Sequence, residues 1–329
     1  MMKLHLDKSA FTVLLDSIHA KTGYRTDVLE KDYYVTLMLE ELAEKQNDGL
    51  KAYFKGGTAL YKALKTTNRF SEDIDLSVDT RGCSRTQNDK RLEQATKKYS
   101  VLPRVPEEGR TNRSEVIAVY HYEPVTSYDH EDVLQRFGRL KIEATSFTIS
   151  EPVMDLQVSS MLYDLADDSQ RQILETGYEV KPFRIQTMTL ERIFIDKIFA
   201  AEAYMRKSDD PHKAFEAAKH IYDLSVMADQ ADIEWLYLDE KHMGYLLDIR
   251  MTEEKYRLDG VPGVLPKDFI FFSSVQKNEK IRWAYEIMQR QYVMCAADRI
   301  SFDLVAISIM NIQSRLKQNK AWQCYEIKD

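Results

Sequence analysis

Two carboxylates stand two residues apart in the run Phe70-Ser71-Glu72-Asp73-Ile74-Asp75-Leu76, and a glycine pair stands sixteen residues before Asp73 in Phe54-Lys55-Gly56-Gly57-Thr58-Ala59-Leu60. In an extended strand, residues two apart share a face, so Asp73 and Asp75 project together while Ile74, Leu76 and Val78 turn toward a core. Two such carboxylates repel each other unless a cation sits between them, and oxygen ligands with open water positions suit Mg²⁺ or Mn²⁺. Gly56-Gly57 lets the backbone approach a ligand closely, and the N–H groups that open the following helix offer partial positive charge to a phosphate. A nucleoside triphosphate satisfies both halves. Glu143 lies on a third alternating run, Leu140 to Phe147, and faces the same way as Lys141 and Thr145. It supplies a third acid, enough for a site that holds two ions. Taken singly, a glycine pair is a tight turn, an Asp-x-Asp a solvated strand edge, and Glu143 a surface residue. The succession of strand, Gly-Gly, helix, strand and Asp-x-Asp is what argues for chemistry.

The elements that position these residues follow from periodicity. Apolar residues between Phe11 and Ala43 recur at helical spacing with a break near Gly23, which predicts two helices. Leu50 to Lys55 reads as a short strand stopped by Gly56-Gly57, with Thr58 capping a helix to about Lys65. Asp73 to Val78 and Leu140 to Phe147 read as half-buried strands. From Thr189 the pattern is helical: Leu190 to Met205, Pro211 to Met227, Ile281 to Met294 and Phe302 to Leu316. A boundary is expected near residue 180.

Composition sets the limits. A chain of 329 residues, 44% hydrophobic and 30% charged, has room for two domains and excludes a disordered tail. The net charge of −7 rules out a polycation that coats nucleic acid. Residues 81–113, however, hold nine basic against four acidic residues, a local +5 that leaves −12 for the rest of the chain. An RNA partner would be drawn to that segment and repelled elsewhere. Cys83, Cys295 and Cys324 lie far apart, which fits a reducing compartment, the cytoplasm. The N-terminus has charges where a signal peptide needs an apolar core, and no stretch approaches the roughly 18 apolar residues of a membrane helix, so no membrane partner is expected. His121, His130, His212 and His220 show no metal-ligand spacing. Lys97-Lys98-Tyr99 and the run Arg315 to Trp322 mix aromatic and basic residues that could touch RNA or simply end solvated helices.

The residues around the glycine pair and the acids resemble the AbiEii/AbiGii toxins of the DNA polymerase β-like nucleotidyltransferase superfamily. Leu29-Glu30-Lys31-Asp32-Tyr33-Tyr34-Val35 looks like that family's helix before the first strand, and Phe54 to Leu60 with Arg69 to Leu76 looks like its first two motifs. Leu140 to Glu143 resembles the strand of its third acid, Leu190 to Ala200 its helix with an inward lysine, and Lys219-His220-Ile221-Tyr222-Asp223-Leu224 its last motif, with Lys219-His220 in place of the usual Arg-Asp. The resemblance spans about residues 25 to 230. It implies an α+β nucleotidyltransferase fold with a mixed sheet flanked by helices over residues 1–180, then a helical domain over 181–329 that completes the active-site cleft. By position, Gly56, Gly57 and Thr58, with Lys55 and Ser71, would hold the triphosphate, Asp73, Asp75 and Glu143 the Mg²⁺ or Mn²⁺, and Lys197 and Asp223 would form a second-domain pair. Lys197 lies among Ile193, Phe194, Ile198 and Ala201 at helical spacing, where a lysine needs an anion. It could neutralise leaving pyrophosphate, or pair with Asp223 only to join helices. The implied activity is transfer of NMP from NTP to an acceptor by the toxin of a toxin–antitoxin or phage-defence (antiviral) pair, with tRNA as acceptor and a cognate antitoxin as partner. A small molecule or protein acceptor keeps the same chemistry. A catalytically silent nucleotide-binding module is opposed by the intact acids.

Overall fold

In the computed structural model, which describes residues 2–126, 137–257 and 260–326, the periodic stretch from Phe11 onward folds as two helices, Lys8–Thr22 and Thr26–Asn47. Gly23 separates them with a φ of 75°, the left-handed conformation that closes a helix, and its N–H reaches the His19 carbonyl at 2.7 Å. The second helix is buried along nearly its whole length, so its charged residues must find partners inside the protein. Glu30 accepts the N–H groups of Val125 (2.7 Å) and Thr126 (3.0 Å), and Glu41 those of Ser100 and Val101. Asp32 accepts from Lys62 Nζ at 2.8 Å, Tyr61 Oη at 3.1 Å and the Met161 N–H at 2.6 Å. This helix is a central post to which distant loops are tied.

Seven strands form one mixed sheet: β1 (Ala52–Lys55), β2 (Ile74–Val78), β3 (Arg110–Thr111), β4 (Glu115–His121), β5 (Arg139–Thr145), β6 (Val153–Val158) and β7 (Phe183–Met188), in the order β3-β4-β5-β2-β1-β7-β6. The β1–β2 pair is antiparallel, while β2–β5 and β1–β7 are parallel. Gln46 bonds the backbone of both Ala52 and Gln186, which fastens β1 and β7 to the central post. The expected strands at 50–55, 73–78 and 140–147 are β1, β2 and β5. The helix after the glycine pair runs from Gly56 to Lys62 and starts at Gly56 itself, so Thr58 lies within its first turn and does not cap it.

The chain divides into two compact units, Met1–Lys65 with Phe70–Met188 and Thr66–Arg69 with Thr189–Asp329. The division falls after Met188, beyond residue 180, because β7 belongs to the sheet. In the second unit, helices Leu190–Met205, Pro211–Met227 and Phe302–Leu316 have the expected bounds, and Glu279–Tyr292 begins two residues early on an Asn278 cap. Arg192, fully buried, ties the first of these to helix Glu240–Glu254 through Glu253 at 2.5 Å and to its own Asp196 at 2.6 Å. Among the described residues, no helix is long and apolar enough to cross a membrane. His130 lies outside the described residues.

Asp32→Ala would leave the buried Lys62 ammonium with the Ser159 carbonyl but no counter-charge, and would take the acceptor from the Tyr61 hydroxyl and the Met161 N–H. We expect a loss of about 3–5 kcal/mol in urea unfolding, with partial recovery when Lys62→Met is added.

Candidate active site

Gly56, the residue after β1, has a φ of +79°, and a Cβ there would lie 2.1 Å from Asp75 Oδ2. Only glycine meets both demands, because a Cβ would strain the left-handed backbone and would also fall on the Asp75 carboxyl. Gly57 is buried in the first helical turn. Thr58, expected among the phosphate-holding residues, is fully buried, and its hydroxyl donates to the Asp73 carbonyl. It fixes the backbone at the start of β2. Ser71 lies half-buried in the loop before β2. That loop is also held by Lys31 of the central post, whose Nζ is 2.6 Å from Glu72 Oε2.

Register builds the acidic face. Lys55 pairs with Asp75 across β1–β2, and Asp75 with Glu143 across β2–β5, so the three side chains stand in a row on one face. Asp73 precedes β2, and Lys141 lies two residues before Glu143. The Lys141 ammonium sits 2.8 Å from Asp73 Oδ2 and 3.6 Å from Glu143 Oε2. Lys55 Nζ lies 3.3 Å from Thr145 Oγ1. Burial, then the Glu143 and Asp73 carboxylates, push Asp75 up to about 7, against the opposing charges of Lys55 and Lys141. Burial pulls the Lys141 ammonium down, but Asp73, Glu143 and Asp75 outweigh it and hold it above the usual lysine range. Among the described residues no three acidic, His or Cys side chains gather into a ready metal cage. The acids form a face instead, and a cation already stands on it, the ammonium of Lys141. An all-oxygen donor set that holds a stand-in cation fits a hard divalent cation.

The second unit holds its own ion triad. Asp223, fully buried, accepts Arg69 Nε at 2.9 Å and Nη2 at 2.8 Å in a bidentate pair, and Lys197 Nζ at 2.6 Å. Burial alone would raise the Asp223 carboxyl, but the two cations hold it well below the usual carboxylate range. His220, half-buried and stacked on Tyr204 at 5.5 Å, is driven well below the usual imidazole range by desolvation and by Lys197. It is a neutral packing residue.

Arg69 was not legible as Asp223's main partner, since nothing in sequence links positions 154 apart. Its place at the head of the Arg69 to Leu76 run was the only signal. Lys141 was visible only as a residue facing the same way as Glu143. In the aromatic and basic mixtures the rings are packed while lysines stay outside: Tyr99 is buried with its hydroxyl on the Ala95 carbonyl, Arg315 pairs with Glu234 over the Tyr237 ring, Trp322 is buried, and Lys98, Lys317 and Lys320 are exposed. His121 bonds Glu123 and the Gly138 carbonyl, and His212 is exposed at a helix start.

The family model described as nucleotidyl transferase AbiEii toxin, Type IV TA system, matches residues 38–305. No curated protein matches the sequence. Among solved structures, MenT4, a nucleotidyltransferase toxin from Mycobacterium tuberculosis H37Rv, is similar with 12% identity and a TM-score of 0.50, over 97% of this chain and 91% of its own. JHP933 from Helicobacter pylori is similar with 14% identity and a TM-score of 0.43, over 92% of this chain and 97% of its own. The likeness to MenT4 concerns the fold alone.

Two outcomes follow from the geometry. Gly56→Ala should lower stability by about 2 kcal/mol in thermal or urea unfolding, because its methyl group meets the Asp75 carboxyl. The folded state holds the Asp75 proton more tightly than the unfolded chain does, so its contribution is fully present below about pH 4 and is lost as pH rises through about 7. In chelator, Asp75→Asn should therefore gain on the parent protein by on the order of 1 kcal/mol between pH 5 and pH 8. Equal gaps at both pH values would contradict the raised carboxyl.

Proposed function

The chain belongs to the nucleotidyl transferase AbiEii toxin family, and from that membership we propose that it moves NMP from an NTP held at the Asp73, Asp75 and Glu143 face to the acceptor end of a tRNA, releasing pyrophosphate. It is a nucleotidyltransferase toxin of a type IV toxin–antitoxin system, so a cognate antitoxin accompanies it. We place its action in the cytoplasm and its benefit in defence against phage. The observation that carries the site assignment is the row Lys55, Asp75 and Glu143 across three adjacent strands, with Asp73 beside it.

Asp73, Asp75 and Glu143 would hold Mg²⁺ or Mn²⁺, which supplies charge neutralisation for phosphoryl transfer. Gly56 lets Asp75 come close to the turn that follows β1, and Gly57 and Lys55 beside it in the chain, with Ser71 of the loop before β2, would receive the triphosphate. Thr58 and the Lys31–Glu72 pair keep the Asp73 backbone in position. We assign Lys197, paired with Asp223, to the leaving pyrophosphate.

An RNA acceptor is the reading we favour over a small molecule, and the first unit has an open cavity of about 590 Å³ whose lining includes Arg85 and Arg113 with a single acid, Asp89. Its lining comes from residues 80–114, which include the basic 81–113 segment, and an open wall with two arginines can meet a polyanion's backbone.

With labelled NTP and Mg²⁺, the purified protein should label tRNA. Asp73→Ala and Asp75→Asn should lower the rate by about 100-fold or more and relieve growth arrest, while the melting profile stays cooperative. If all four NTPs leave tRNA unlabelled while nucleotide still binds, the acceptor assignment is wrong.

A further inference from the structure

An ammonium wedged against two carboxylates of a cation-binding face has a consequence for how that face is loaded. Lys141 touches Asp73 Oδ2 at 2.8 Å and lies 3.6 Å from Glu143 Oε2, and both acids are also neighbours of Asp75. Its side chain is 36% exposed, so the flexible four-carbon stem can swing toward solvent without unpacking the core. Lys141 and a divalent cation would neutralise the same carboxylates, and two cations at such separation repel each other.

We propose that Lys141 is the resident counter-cation of the acidic face in the nucleotide-free protein, and that a divalent cation must displace its ammonium from Asp73. The inference rests on the reading of this face as the metal site. Displacement weakens the binding of free metal. A triphosphate arriving with its metal offers the displaced ammonium new phosphate oxygens, so metal and nucleotide bind with positive coupling. The protein then loads the metal–nucleotide complex in preference to the bare ion.

The test is direct Mn²⁺ binding, followed by the loss of the free-ion paramagnetic signal, in the full-length protein and in Lys141→Met, Lys141→Arg and Asp75→Asn. Lys141→Met should bind Mn²⁺ about tenfold more tightly, Lys141→Arg should stay within about twofold of the parent protein, and Asp75→Asn should lose binding. A non-hydrolysable NTP should tighten Mn²⁺ binding less in Lys141→Met than in the parent protein. A second measurement needs no variant: in the parent protein, Mn²⁺ should raise the acylation rate of Lys141 several-fold, read by mass spectrometry. Unchanged or weaker Mn²⁺ binding in Lys141→Met, or an unchanged or slower acylation, overturns the proposal while the metal site stands, provided Asp75→Asn has lost the metal. If Asp75→Asn binds Mn²⁺ like the parent protein, the reading of this face fails and the Lys141 proposal falls with it.

Discussion

Carboxylates set side by side on one face of a sheet repel one another, and the first unit is organised around bearing that repulsion. Strand register makes it unavoidable, because the parallel β2–β5 pairing puts Asp75 directly opposite Glu143. Around this row the protein spends its fixed positions. Gly56 yields its side-chain volume to the Asp75 carboxyl, Thr58 gives its hydroxyl to the Asp73 carbonyl, and Lys31 reaches from the central post to steady the preceding loop. Each contact holds an acid where it would not settle alone. The opposite charges of Lys55 and Lys141 reduce the electrostatic cost of the row.

The second unit manages buried charge differently. In its triad the acid is single and the cations are two, so Asp223 is satisfied by the fork of Arg69 and by the Lys197 ammonium. A buried triad of this sort contributes little net stability over an apolar replacement, but it tolerates no missing member, since a lone charge would remain in a dry interior. The neutral His220 beside it adds no competing charge.

The sequence revealed the features that repeat within a few residues. The alternation at Asp73–Val78, the glycine pair and the helices from Leu190 to Leu316 are local patterns, and local periodicity reports them well. Strand order depends on partners far apart in the chain, and no spacing encodes it. β6 is an edge strand with five of its six residues outside the core, so it lacks the buried alternate positions that mark a strand. β7 does carry that signal, with Arg184 and Gln186 outward and Ile185 inward. Within the site, residue types announced the acids, whereas the duties of Thr58 and Lys141 depend on which neighbour the fold supplies. Tyr99 and Trp322 show the same limit from the other side, because an aromatic ring beside lysines looks alike in sequence whether it is buried or presented to solvent.

Residues Thr66–Arg69 belong to the second unit although the chain on both sides of them belongs to the first. Arg69 precedes its carboxylate partner by 154 residues. Translation at about 5–20 residues per second leaves the guanidinium without that partner for roughly 8 to 30 seconds as the chain emerges. The second unit cannot close its buried triad until Asp223 has left the ribosome, so the guanidinium of a nascent chain must wait in water for its partner.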